Sequence, residues 1–249
     1  MPKPAPRELE VIRRETITPH MLRITLGGEG LQGFPEDQES AYVKLLFDQG
    51  ANERPLMRTY TIRQQRDNEI DIDFVVHDHP GPAGAWAMQA EPGQRIRVGG
   101  PGARKLINPE GDWFLLVGDM TALPAISVNL AALPADAKGH VILEVASESD
   151  RQDLICPPDM KVHWIVSPDP NAPGQALLDA VSELPWMEGN PAVWCACEFT
   201  TMRHLRELFR KERVVEPKLR YISSYWKHGL SEEQHKVVKR EDEAIASVF

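Results

Sequence analysis

Between residues 102 and 111 the apolar pattern of the chain changes its period, and that change limits the fold more than any single motif does. Before it, short segments alternate apolar and polar residues. In "EIDIDFVVH", Ile70, Ile72, Phe74 and Val76 share one face, while Glu69, Asp71, Asp73, Val75 and His77 share the other. A period of two marks a strand with one buried side. "RELEVIRRETI", "HMLRITLGG", "AYVKLLFD", "MRTYTIRQQ" and "QRIRVGG" are the other strand candidates, separated by turn formers. Six strands at this spacing predict a small antiparallel barrel. "GPAGAWAMQAEPG" interrupts them as a short helix closed at Pro92-Gly93.

After the change the strands lose their alternation. "WFLLVGD", "HVILEVAS", "AVWCACE" and "KLRYISSYW" are interleaved with helical stretches near "MTALPAISVNLAAL", "GQALLDAVSEL" and "TTMRHLRELFRKER". Apolar strands alternating with helices predict a parallel sheet covered on both faces. The expected organisation is therefore a barrel domain over residues 1–106 and an α/β domain over 107–249. The tail "SEEQHKVVKREDEAIASVF" reads as a terminal amphipathic helix capped by Ser231.

Charge narrows the partners. The chain has 249 residues, 42% of them hydrophobic, with 37 acidic against 28 basic side chains and a formal charge of −9. No broad cationic surface is available for nucleic acid, so an anionic ligand needs a local basic cluster. There is no run of about 18 apolar residues, so no membrane span is expected. The N-terminal residues lack the apolar core of a secretory signal, and cytoplasm is the expected compartment. Three cysteines make a poor disulfide framework. Cys195 and Cys197 are read as core thiols on opposite faces of a strand, with no metal or redox role.

"RTYTIR" (58–63) places a cation, a phenol and a hydroxyl on one short strand. Arg58 can neutralise a phosphate, Tyr60 can stack on a flat ring, and Thr61 can donate a hydrogen bond. Downstream, "GPAGAW" puts small residues at a helix start, where backbone N–H groups and the helix dipole suit a pyrophosphate. A flavin site and a plainly decorated strand followed by a turn fit these two stretches equally well. "GDMTALPA" (118–125) follows an apolar strand and opens a helix, the position where open α/β sheets bind ligands. It contains no G-x-G-x-x-G, so a tight dinucleotide fingerprint is not indicated. "YWKHG" (225–229) reads locally as a strand end and turn. His77 and His79 flank the "DHPGPAGAW" region and read as structural or solvated.

Taken together, "RTYTIR", "DFVVHDHPGPAGAWA", "GGPG", "GDMTALPAI", "WCACE" and "YWKHG" resemble the siderophore-interacting protein family, FAD-dependent ferric-siderophore reductases of the ferredoxin-reductase-like superfamily. The resemblance implies an N-terminal antiparallel six-stranded FAD-binding barrel followed by a C-terminal NAD(P)-binding-like α/β domain. It implies that Arg58, Thr59, Tyr60 and Thr61 meet the isoalloxazine and phosphate, and that Asp73, Val75 and His77 line the flavin. Ala83, Gly84, Ala85, Trp86 and Ala87 would cradle the pyrophosphate. Thr121 and Ala122 would approach the cofactor from the second domain, and Trp226 would cover one end of its cleft. Three departures stand out: Gly84 replaces the usual serine, Met120 the usual acid, and Cys197-Glu198 the usual Gly-Glu.

The implied chemistry is electron transfer from NADPH, NADH or a ferredoxin through FAD to Fe(III), which needs no nucleophile, catalytic base or resident metal. Lys44, Arg104, Lys105 and Lys227 are the candidate cations for an anionic ferric siderophore. A generic NAD(P)H:flavin or ferredoxin-type reductase with another acceptor would share all these features. So would a cytoplasmic siderophore-binding protein that is not an enzyme.

Overall fold

The computed structural model describes residues 5–50, 53–77, 80–167 and 173–246. The chain divides into two compact units. One comprises Met1–Leu106 with Ser127–Asn129 and Ser149–Asp153, and the other holds the remainder.

The first unit is a closed six-stranded antiparallel barrel. Its strands are β1 (Arg7–Thr18), β2 (Met21–Gly27), β3 (Tyr42–Phe47), β4 (Leu56–Arg66), β5 (Glu69–Val75) and β6 (Arg95–Gly99), in the order β1-β2-β5-β4-β3-β6. Closure leaves no sheet edge unpaired. Val11, Ile24, Val43, Leu45, Ile62, Ile72 and Phe74 fill the interior without solvent exposure. These are the inward members of the alternating pattern. Helix α1 (Pro82–Gln89) packs against β2, β3 and β5 and sends Ala83 and Ala87 into the core.

The alternation on the outer surface hides buried charge. Asp71 and Asp73 face away from the apolar interior, yet only 2% and 6% of their surface is exposed. Arg66 grips Asp71 through both oxygens at 2.9 and 2.6 Å, and Arg23 grips Asp73 at 2.6 and 2.8 Å. Bidentate guanidinium–carboxylate pairs make such burial tolerable. Hydrogen bonds from Arg66 and Thr25, with the nearby guanidinium charges, outweigh the burial penalty and hold the Asp71 carboxyl below its ordinary range.

The second unit is a parallel five-stranded sheet of β7 (Trp113–Gly118), β8 (Lys138–Val145), β9 (Asp159–Val166), β10 (Pro191–Glu198) and β11 (Arg220–Trp226), ordered β11-β10-β7-β8-β9. Every residue of β7 and β10 is buried, which is why these segments read as unbroken apolar runs. Its helices are α2 (Leu123–Ala131), of which Ser127–Asn129 are grouped with the first unit, α3 (Gln175–Glu183), α4 (Phe199–Glu207) and α5 (Glu232–Ala246). The last is capped as expected: Ser231 Oγ accepts from the Gln234 amide, and Gln234 Oε1 accepts from the Ser231 amide.

Two local expectations change. The stretch "TTMRHLRELFRKER" does not form one regular helix, because after Glu207 it opens into a wider π turn over Leu208–Glu212. Cys195 and Cys197 do not lie on opposite faces of β10. Residues two apart on a strand return to the same side, and both thiols sit in one core cluster with Leu205 and Phe209. Their mutual hydrogen bond, followed by burial, pushes the Cys197 thiol well above its ordinary range, which makes it inert at neutral pH.

Candidate functional site

In the first unit the "RTYTIR" strand separates its side chains by face. Cross-strand partners share a side of the sheet. Arg58 lies opposite Leu45 and Tyr60 opposite Val43, so both turn toward the barrel interior. Thr59 lies opposite Lys44 and Thr61 opposite Tyr42, so these four turn outward. Tyr60 is half-buried, and its ring packs on Phe74 with centroids 4.3 Å apart. Phe74 in turn meets Trp86 of α1 at 5.8 Å, and Trp86 meets Phe47 at 6.0 Å. One aromatic chain therefore joins the strand motif to the helix motif.

The start of α1 suits an anion. Gly81 occupies the cap position and supplies no side-chain hydrogen bond, and Pro82 has no N–H. The intrahelical bonds begin with Ala85 N donating to Gly81 O at 2.9 Å, which leaves the amides of Ala83 and Gly84 ahead of the ladder. A Cβ added at Gly81 would meet nothing within 4 Å, whereas one at Gly84 would come within 3.1 Å of Pro80 Cβ. A positive helix end, small residues and the Arg58 guanidinium one motif away fit the pyrophosphate of a flavin dinucleotide.

The other first-unit candidates divide. The side chains of Ala83 and Ala87 are core-facing, Ala85 and Gly84 are half-buried, Val75 is half-buried, and His77 is exposed. Asp73 is held by Arg23. His79 lies outside the described residues. Lys44 stands on the outer face of β3 between Thr59 and Gly99. Arg104 donates from Nε to Glu39 O at 3.0 Å. The carbonyl of Lys105 accepts from Ser40 Oγ at 3.1 Å and from Asn129 Nδ2 at 3.2 Å.

In the second unit the candidates gather at the carboxyl ends of the parallel strands, around an acid that sequence reasoning did not select. Asp119 follows β7 and is 8% exposed. Its Oδ1 accepts from Thr121 N at 2.9 Å and Thr121 Oγ1 at 2.5 Å. Its Oδ2 accepts from Trp226 Nε1 at 2.7 Å and Glu198 N at 3.0 Å. Burial pushes the carboxyl above its ordinary range, and these four donors oppose that push. Ala122 is fully buried beneath this turn, and Met120 is 6% exposed.

Glu198 works in parallel. Its Oε2 accepts from the amides of Thr200 and Thr201 at the start of α4, and its Oε1 accepts from the His228 amide at 3.2 Å. Glu144, near the end of β8, accepts from the amides of Gly174 and Leu177, and burial raises its carboxyl. Lys227 sits with its ammonium 4.3 Å from the centre of the Phe199 ring. The signal that would have found these acids is their placement: each ends or nearly ends an apolar strand, in "LLVGD", "VILEV" and "CACE".

A closed antiparallel barrel followed by a parallel α/β sheet defines the ferredoxin-reductase-like class. The fold matches phthalate dioxygenase reductase with a TM-score of 0.63 at 14% identity, over 92% of this chain and 70% of that one. Within that class, the chain belongs to the siderophore-interacting protein family. Residues 10–54 and 48–105 match the family model described as "Siderophore-interacting FAD-binding domain", and residues 111–229 match "Siderophore-interacting protein". The siderophore-interacting protein SipS from Aeromonas hydrophila superposes with a TM-score of 0.86 at 32% identity, covering 96% of this chain and 98% of that one. The ferric vibriobactin reductase ViuB of Vibrio cholerae is 36% identical over 252 residues, 92% of each chain. The NADPH-dependent ferric-chelate reductase of Escherichia coli is 28% identical over 241 residues, covering 88% of this chain and 92% of that one. Among the described residues no helix is long and apolar enough to cross a membrane.

Proposed function

We propose that the chain is an FAD-dependent reductase of ferric siderophore complexes, acting in the cytoplasm with NADPH, NADH or a ferredoxin as electron source. The observation that carries this reading is the meeting of the R-x-Y-T strand and the G-P-A-x-x-W helix through Phe74. Membership of the family supports it, as do the ferric reductase relatives.

When bound, FAD supplies the step from a two-electron donor to a one-electron acceptor. The chain's own residues hold and orient. Arg58 would offset phosphate charge and the Ala83 and Gly84 amides would donate hydrogen bonds to phosphate oxygens, while Tyr60, braced by Phe74, would present its ring to the flat part of the cofactor. Thr59, Thr61, Asp73 and Val75 stand on the outer face of the same strands and would border the cofactor through backbone groups, beside the exposed His77. Lys44, Arg104 and Lys105 in the first unit, and Lys227 in the second, are each a candidate cation for an anionic ferric complex on an otherwise acidic chain. The hard oxygen donors of a siderophore hold Fe(III) far more tightly than Fe(II), so reduction releases the metal.

The test is anaerobic. The FAD-loaded protein is reduced, ferric hydroxamate and ferric catecholate complexes are added, and flavin reoxidation is followed with a ferrous trap present. Reoxidation with trapped Fe(II) is expected. No reoxidation by any ferric chelate would point to another acceptor, and a colourless protein with no flavin spectrum after FAD addition would point to a binding role without catalysis.

A further inference from the structure

We propose that Asp119 is a positioning residue that holds the Trp226 indole by its ring N–H, with Glu198 fixing the backbone beyond it. Together they make a rigid aromatic platform for a nicotinamide ring at the carboxyl edge of the parallel sheet. This rests on the reductase reading and deepens it, since it assigns the electron donor to a planar ring and not to a protein surface.

Three features carry the argument. First, the hook is directional. Trp226 has a single donor, and Asp119 Oδ2 takes it at 2.7 Å, a short charge-assisted bond. Second, the carboxylate is committed on every side. Its other oxygen is occupied by the Thr121 amide and hydroxyl, and Oδ2 also receives the Glu198 amide. Asp119 therefore cannot swing away without stranding buried donors. Third, the chain beyond the indole is independently pinned. Glu198 Oε1 takes the His228 amide, His228 meets the indole edge-on at 6.4 Å, and Lys227 lies over Phe199. The ends of β7, β10 and β11 are thus tied through two carboxylates.

The tie serves the ring more than the sheet. The three strands already pair along their lengths, through Cys195 with Val117 and with Ile222 for example. The extra bonds instead set the tilt of one half-buried indole where open α/β sheets receive ligands. A stacking partner gains from being held before the ligand arrives, because its rotamer entropy is already lost.

The experiment compares wild type, Asp119→Asn, Trp226→Phe and the double variant as FAD-loaded protein. Asparagine keeps one acceptor oxygen and turns an NH2 toward donors, so it cannot hold both sets. Difference emission spectra against the matching Trp226→Phe partner isolate this indole. In Asp119→Asn its emission should move to the red and its acrylamide quenching should rise. KM for NADPH should rise roughly tenfold in either single variant, about one charged hydrogen bond, with kcat little changed. The double variant should be no worse than Trp226→Phe alone. A further KM increase in the double variant, or unaltered quenching in Asp119→Asn, would overturn the proposal.

Should Asp119→Asn fail to fold, the wild-type protein decides. The Trp226 indole proton, assigned in 15N spectra by its loss in Trp226→Phe, should lie downfield and exchange slowly. A fast-exchanging proton at the position of a solvated indole would equally overturn it. Failure of ferric reduction with the spectroscopic results intact would count against the reductase reading and leave the hook standing.

Discussion

The ring of Tyr60 lies on that of Phe74, with centroids 4.3 Å apart and planes tilted by 39°. Phe74 is fully buried, and its ring also meets that of Trp86. A residue that belongs to neither motif therefore sets the orientation of both. Phe74→Ala should cost about 3–5 kcal/mol in urea unfolding, the usual loss for a buried phenylalanine. It should also weaken FAD binding in a flavin titration, whereas Phe74→Leu should do both to a much smaller degree. Unchanged FAD affinity in a folded Phe74→Ala protein would show that Tyr60 and Trp86 act independently.

The role proposed for Arg58 is toward the cofactor, beside the hydrogen bond its Nη1 donates to Met57 O at 3.0 Å. Arg58→Ala should lower FAD affinity about tenfold to a hundredfold, the equivalent of one charge-assisted hydrogen bond. The unfolding midpoint of the FAD-depleted protein should hardly move. A large drop in that midpoint with normal FAD binding would make the arginine structural.

Asp73 is only 6% exposed, and Arg23 meets both its oxygens at 2.6 and 2.8 Å. Removing the guanidinium leaves a buried charge, so Arg23→Ala should cost about 3–5 kcal/mol. Adding Asp73→Asn to that variant should recover part of the loss, since the stranded charge is gone. Denaturant curves for the two singles and the double measure the coupling.

The attachment of α5 should weaken in acid. Asp242 receives both terminal nitrogens of Arg206, at 2.6 and 2.8 Å, and that hydrogen bonding holds its carboxyl below the ordinary range. A depressed folded value stabilises the protein above the unfolded value of about 3.9, and the gain disappears as pH falls through the folded value. Asp119 and Glu144 run the other way: burial raises them, so their contribution is lost as pH rises from the unfolded value through the raised folded value, above the window of Asp242. Limited proteolysis of α5 should therefore increase below about pH 4 in the wild type. Asp242→Asn should make α5 easier to cut at neutral pH and largely remove the acid dependence.

Much of this was legible in the chain itself. The alternation in "EIDIDFVVH" located a barrel strand, and the unbroken runs "WFLLVG" and "PAVWCACE" located central parallel strands. Glycine, proline and serine marked the ends of α1 and the start of α5. "RTYTIR" and "GPAGAWA" drew attention to two stretches of the barrel unit, but their spacing could not say that Phe74 joins them. The shared core side of Cys195 and Cys197 follows from the two-residue strand period, whereas the π turn at Leu208 has no local signal in "RELFRKER".

What the sequence determined by itself was therefore what depends on near neighbours: the period of each strand, the caps and turns, and the motifs that name the family. What only the tertiary structure decided was which distant groups satisfy one another. Asp119 and Trp226 are 107 residues apart, and Arg23 and Asp73 are 50 apart. A buried carboxylate must find donors wherever the fold brings them, so its partner is set by strand order and register and not by its place in the chain.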